Sequence, residues 1–197
     1  MSLPQPDPAV LRQAQKGDER AFSIVLRMYE TPVYNYVLRL VGDRSLAEDL
    51  TQEVFLRVYQ GLPGFSRSRF TTWLFQVTKN RVLDELRALE RRPRAVVALD
   101  DIPPLEVVDQ PFERTETIDA VWRAVESLPV DLKMALLLRD VVGLSYTEIG
   151  DALEITLATV KWRIYKARED VAIALARDGI TARTATTTRA PAVAAAE

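Results

Sequence analysis

The stretch Ser145-Tyr-Thr-Glu-Ile-Gly-Asp-Ala-Leu-Glu-Ile-Thr-Leu-Ala-Thr-Val-Lys-Trp-Arg-Ile-Tyr-Lys-Ala-Arg168 decides the fold. Ser145 with Glu148 three residues on has the form of a capping box, which opens a short helix. Ile149 and Leu153 form the inner face of that helix, and Gly150 leaves room for a second helix to cross closely. Ile155 plugs the turn, and Thr156 caps the next helix. There Val160, Ile164, Ala167 and Val171 fall in one stripe at about 100° per residue. The other side carries Ala158, Trp162, Tyr165, Lys166 and Glu169. Lys161, Arg163, Lys166 and Arg168 place four cations in eight residues with no acid among them. Two helices joined by a tight turn, the second basic and aromatic on its outer face, predict a DNA-reading helix-turn-helix. A helical hairpin whose aromatics pack on a neighbour is the bland alternative.

Upstream of this unit, helical patterning runs back to about Thr115, broken at Pro129 and again at Gly143. It runs forward to about Asp178, and residues 179–197 form a Thr- and Ala-rich tail without a core face, expected to be disordered. Residues 93–114 carry Pro93, Pro103, Pro104 and Pro111 together with Asp100, Asp101, Glu106 and Asp109. No helical period survives there, so an extended acidic linker is expected.

Residues 1–92 read as helix after helix. The first spans about Pro8 to Lys16 and stops at Gly17. Asp18 caps the second, with Phe22, Val25 and Tyr29 on one side. Pro32 marks a place where a new helix begins, ending at Gly42. Ser45 and Glu48 form another capping box, opening a helix through Gln60 that Gly61-Leu-Pro-Gly64 stops. Leu46, Leu50, Val54 and Val58 make one stripe on it, while Phe55 and Tyr59 lie away from that stripe, so the helix is apolar on more than one side. A loop over Phe65–Arg69 leads into a long helix from Phe70 to about Leu89. On it Trp73, Gln76, Asn80 and Arg87 share a side that suits stacked and hydrogen-bonded bases. A core role for Trp73 beside a solvated charged face is the competing reading. From Lys79 to Arg94 there are six cations and three acids.

Composition limits the chemistry. The 197 residues are 48% hydrophobic and 27% charged, with net charge −2, ordinary for a globular protein. There is no cysteine and no histidine, which removes disulfides, thiolate or imidazole metal sites and histidine-based catalysis. The MSLPQPDPAV start lacks the apolar run of a signal peptide, and no stretch approaches about 18 apolar residues. A cytoplasmic protein is the expectation.

Three segments carry a family resemblance. Ala47-Glu-Asp-Leu-Thr-Gln-Glu-Val-Phe-Leu-Arg-Val-Tyr59 resembles the polymerase-binding helix of extracytoplasmic-function (ECF) sigma factors, of the sigma-70 family, group IV. Phe70-Thr-Thr-Trp-Leu-Phe-Gln-Val-Thr-Lys-Asn-Arg-Val-Leu-Asp-Glu-Leu-Arg87 resembles their promoter −10 helix, and Leu128-Pro with the helix-turn-helix resembles their −35 reader. The resemblance implies an all-α fold of two helical domains joined by a Pro-rich linker: a sigma2-like bundle over 1–92, the linker over 93–114, and a sigma4-like helix-turn-helix domain over 115–178. It implies no catalytic residues, no metal and no cofactor. The implied partners are core RNA polymerase (β′ clamp helices and β flap), promoter DNA and an anti-sigma factor. Asp49, Gln52, Glu53 and Phe55 would meet polymerase. Arg67, Arg69, Trp73, Gln76, Lys79, Asn80 and Arg87 would meet the −10 element, whose flipped base a pocket can stabilise. Thr159, Lys161, Trp162, Tyr165, Lys166 and Arg168 would meet the −35 element. The chain departs from the pattern at Glu154, where the turn usually has Gly, and at Ala158 and Trp162, where small residues are usual.

Three other readings compete. A stand-alone helix-turn-helix regulator would need a dimerising element, and no long heptad repeat is present. A helical protein-interaction module would be indifferent to DNA. A carboxylate-dependent phosphohydrolase would have to use Glu48, Asp49 and Glu53.

Overall fold

The computed structural model describes residues 3–66, 69–91 and 116–180. Among these residues there are eight α-helices and no strand: α1 (Pro8–Gln15), α2 (Glu19–Val41), α3 (Arg44–Gly61), α4 (Phe70–Arg91), α5 (Glu116–Glu126), α6 (Val130–Asp140), α7 (Tyr146–Leu153) and α8 (Leu157–Arg177). A 3₁₀ turn, Leu62–Gly64, follows α3. The linker and tail expectations, over 93–114 and from 181 onward, lie outside the described residues. No helix among those described is long and apolar enough to cross a membrane.

Among the described residues, local side-chain caps open α1, α2, α3, α7 and α8. Asp7 accepts from the Ala9 and Val10 amides with Pro8 at the first helical position, and Asp18 accepts from Arg20 and Ala21. Both satisfy amides that the helix itself leaves unpaired. Gly42 closes α2 in the left-handed region, φ 73°, where a Cβ would be strained.

Two expectations are corrected here. Pro32 does not begin a helix; it lies inside the continuous α2. An internal proline costs about 3 kcal/mol, but Val25, Tyr29, Val33, Tyr36, Val37 and Leu40 run past it as one buried stripe. Burying that stripe against α3 and α4 outweighs one lost hydrogen bond. The cap of α3 is Asp43, not Ser45: its carboxylate accepts from the Leu46 amide at 2.8 Å. The left-handed Gly42 throws Asp43 into extended geometry (φ −117°, ψ 126°), which is that of an N-cap, and Glu48 pairs instead with Arg44.

In the N-terminal body α2 packs on α3 and α4, and aromatic pairs cement the seam: Tyr29 with Phe70, and Tyr36 edge-on to Phe75 at 5.5 Å. In the C-terminal body α8 is the axis for α5, α6 and α7. Of the sequence stripe, Val160, Ile164 and Ala167 are fully buried and Val171 is partly buried against them. The two bodies meet where α7 lies on α4 and α6 on α2.

Candidate nucleic-acid interface

The helix-turn-helix assembles as its local signals require. Ser145 and Glu148 exchange both capping-box bonds, and Thr156 caps α8 through the Thr159 amide at 3.2 Å. At Gly150 an added Cβ would stand 3.0 Å from the Ile155 carbonyl oxygen and 3.7 Å from Val160, so α8 crosses over a residue with no side chain. Glu154 closes α7 in the left-handed region, φ 59° and ψ 43°, the one non-glycine residue with positive φ among those described. An L-residue there is strained by roughly 1 kcal/mol.

The outer face of α8 presents Trp162, 59% exposed, and Tyr165, 74% exposed. Together with Lys161 they make an exposed aromatic and basic patch on the outer face of α8. The run of cations is less bare than the sequence suggests. Arg163 reaches Asp131 at 3.1 Å, Arg168 reaches Asp140 at 2.6 Å, and Lys166 sits between Glu169 and Asp170. Hydrogen bonds to Glu169 and Asp170 raise the Lys166 pKa, and the Asp140 bond raises that of Arg168. Among the described residues only Lys161 of the four lacks a carboxylate partner. Thr159 shares its hydroxyl with Thr156, which ties it to the cap.

On α4 the candidate residues divide. Trp73 is half-buried: its ring lies 5.0 Å from Phe65 and 5.8 Å from Phe70 and rests on Gly61, where a Cβ would meet it at 3.1 Å. Gln76 donates to Glu154 at 2.9 Å. Lys79 is buried, with its amine 2.6 Å from the other Glu154 oxygen. Arg69 donates to Glu148, itself 5% exposed. Burial pushes the Glu148 carboxyl up, but the bonds from Ser145 and Arg69 hold it below its ordinary value. Asn80 and Arg87 are exposed. Arg67 lies outside the described residues. A cleft of about 730 Å³ separates the two walls, Arg69, Thr72 and Gln76 on one side and Asp151, Glu154 and Thr156 on the other.

On α3, Asp49 and Gln52 are exposed. Glu53 accepts from Arg81, whose hydrogen bond holds its carboxyl below the ordinary value. Phe55, 5% exposed, belongs to the core, whereas Leu56 is 61% exposed. The helical wheel carried the signal: at about 100° per residue, Leu56 comes within about 20° of Asp49, and Phe55 falls about 120° away. The described residues contain no group of three or more carboxylates placed to hold a metal ion.

Gln5 is a residue that periodicity alone does not single out. Its side-chain oxygen accepts from the Phe70 amide at 3.0 Å and its nitrogen donates to the Thr71 hydroxyl. It therefore caps α4 from 65 residues away, while the Tyr29 hydroxyl holds the same arm through the Pro4 carbonyl. Gln5→Ala is expected to cost about 1 kcal/mol, as for other lost caps, with faster amide exchange confined to Phe70 and Thr71 in hydrogen-exchange mass spectrometry.

Comparison with known proteins gives a consistent result. The family model for Sigma-70 region 2 matches residues 25–92, and that for Sigma-70, region 4 matches residues 118–171. The RNA polymerase sigma-H factor of Pseudomonas aeruginosa is 32% identical over 186 residues, covering 89% of this chain and 96% of that protein. The ECF RNA polymerase sigma-E factor of Escherichia coli K12 is 33% identical, covering 87% of this chain and 95% of its own. Two solved structures share the fold at 22% identity. One is CnrH in complex with the cytosolic domain of CnrY, with TM-score 0.67 over 88% of this chain and 99% of that one. The other is the sigma factor RpoE in complex with the anti-sigma factor NepR from Bartonella quintana, with TM-score 0.65 over 80% and 98%.

Proposed function

Because the chain belongs to the sigma-70 family, as a factor of the ECF type, we propose that it directs core RNA polymerase to promoters through three separate surfaces. The observation that carries this reading is the pair of exposed aromatics, Trp162 and Tyr165, on the outer face of a doubly capped helix-turn-helix. It acts as a specificity subunit in the cytoplasm and not as an enzyme. The α3 stripe of Asp49, Gln52, Glu53 and Leu56 docks on the β′ clamp helices. Replacing Phe55 by Leu56 in that stripe follows from their exposures.

Residues 1–92 serve as the polymerase and −10 domain, 93–114 as the linker and 115–178 as the −35 domain, which also meets the β flap. Asn80, Arg87, Gln76, Lys79, Arg69 and Arg67 hold −10 DNA, with Trp73 as the apolar wall. Thr159, Lys161, Trp162, Tyr165, Lys166 and Arg168 meet the −35 duplex, where Trp162 can lie against a thymine methyl and the cations contact phosphates. An anti-sigma factor is proposed as the inhibitor, by analogy with the Bartonella relative solved with one.

The test is co-elution of the full chain with core polymerase, followed by run-off transcription on a promoter library. Wild type should co-elute and initiate from a distinct subset. Trp162→Ala/Tyr165→Ala should still co-elute but lose about tenfold or more in initiation, since each contact removed contributes roughly 1 kcal/mol or more. Folded wild type that never binds core would sink the reading.

A further inference from the structure

Trp73, the apolar wall of the −10 surface, is one of three packed rings. Phe65 lies 5.0 Å from Trp73 and 5.8 Å from Phe70, and Phe70 lies 5.8 Å from Trp73. Two of the three are gripped by their backbones, each by a glutamine from the N-terminal arm or α1. Gln15, the last residue of α1, donates to the Phe65 carbonyl at 2.7 Å. Gln5, in the arm before α1, accepts from the Phe70 amide at 3.0 Å and donates to the Thr71 hydroxyl at 2.5 Å. The chain that joins Phe65 to Phe70 is thereby held at both shoulders. Both glutamines precede residues 25–92, which carry the region 2 match.

The grips are themselves anchored. Ala14 is buried beside Gln15, and Val10 and Leu11 pack against the core. Pro6 is buried beside Gln5. The Tyr29 hydroxyl donates to the Pro4 carbonyl, and the Tyr29 ring lies 5.4 Å from Phe70. Arm, Tyr29 and Phe70 thus close one circuit of contacts. Capping alone does not require such anchoring, because water can satisfy an exposed amide or carbonyl at a helix start. Water cannot fix the distance between two rings. A pocket that discriminates a flipped base needs its walls held to about 0.5 Å.

We infer that Gln5 and Gln15 are positioning residues for −10 base selection: they set where Phe65 and Phe70 stand against Trp73, and so how sharply the site tells one base from another. The inference rests on the promoter reading given above, and it extends the specificity machinery to residues 3–15, which act through the rings and not by contact with DNA.

The experiment uses the full chain with core polymerase on barcoded promoter libraries, one randomised at −10 and one at −35, with the transcripts sequenced. Gln5→Ala/Gln15→Ala should bind core as wild type does and keep the −35 preference. Its ratio of favoured to disfavoured −10 bases should fall about tenfold, the scale of one base contact. Glutamate separates the two grips. Gln5→Glu keeps an acceptor for the Phe70 amide, and the Thr71 hydroxyl can donate to it, so −10 selection should stay as in wild type. Gln15→Glu, ionised at neutral pH, has no donor for the Phe65 carbonyl, so it should relax −10 selection as alanine does. A merely structural role would lower initiation from all promoters alike and leave the ratio intact. That outcome, or Gln15→Glu selecting as wild type does, overturns the inference. If wild type selects −10 bases and the double alanine variant selects the same ones as sharply, the clamp fails and the promoter reading stands. If wild type never initiates with core, both fail together.

Discussion

Leu56→Asp is expected to weaken binding to core polymerase by about 30-fold or more while leaving the fold intact, and Phe55→Ala, one residue earlier, is expected to do the reverse. The two side chains differ in what surrounds them. Leu56 is 61% exposed on the same side of α3 as Asp49 and Gln52, whereas Phe55 is 5% exposed. A carboxylate in place of an apolar anchor at an interface centre costs about 2 kcal/mol or more, and 1.4 kcal/mol is about tenfold in affinity. Emptying a buried phenylalanine site costs about 3–5 kcal/mol, which lowers the melting temperature of a domain of this size by more than about 10 °C. Calorimetry and fluorescence anisotropy of labelled chain against core separate the two effects. Leu56→Asp binding core as wild type does would show that this stripe is not the docking surface.

Gly150→Val is expected to disable promoter recognition through the fold. The new side chain must enter a gap in which even a Cβ would lie 3.0 Å from the Ile155 carbonyl. That oxygen is backbone of the turn itself, so relief requires α8 to tilt on α7. Overpacking of this kind costs about 1–3 kcal/mol, and the tilt displaces Trp162 and Tyr165 together. Gly150→Ala is the informative control. Its helix-propensity gain of about 1 kcal/mol opposes the squeeze, so stability should change little. Urea denaturation reads the first quantity and run-off transcription the second. A valine variant as stable and active as wild type would mean that the helices do not cross closely at this point.

Much of this was legible beforehand. The caps at Asp18, Ser145 and Thr156, the stop at Gly42 and the buried stripe of α8 all depend on residues within a turn or two of one another. Such signals survive without any tertiary context. The three quoted segments, in their order, likewise carried the family, which the region 2 and region 4 matches establish.

The errors share a cause as well. Pro32 reads as a helix start by its local conformational cost, and the packing of α2 on two neighbours overrides that cost. Ser45 and Asp43 were both competent caps, and only the left-handed exit from α2 selected between them. Phe55 joins the surface set in the sequence reading because α3 is apolar on two sides, although the wheel sets it about 120° from Asp49; the bundle buries it.

The sequence by itself determined the helical character of each body, the helix-turn-helix and the family, because caps and periodicity act between near neighbours. Only the tertiary structure decided that Arg163 and Arg168 are neutralised by α6 acids, that Gln5 caps α4, and that Arg69, Gln76 and Lys79 face Glu148 and Glu154 across 75 to 79 residues of chain. Those pairings depend on how two separately patterned bodies come together. Neither charge count nor helical period encodes that, because both are properties of one segment at a time.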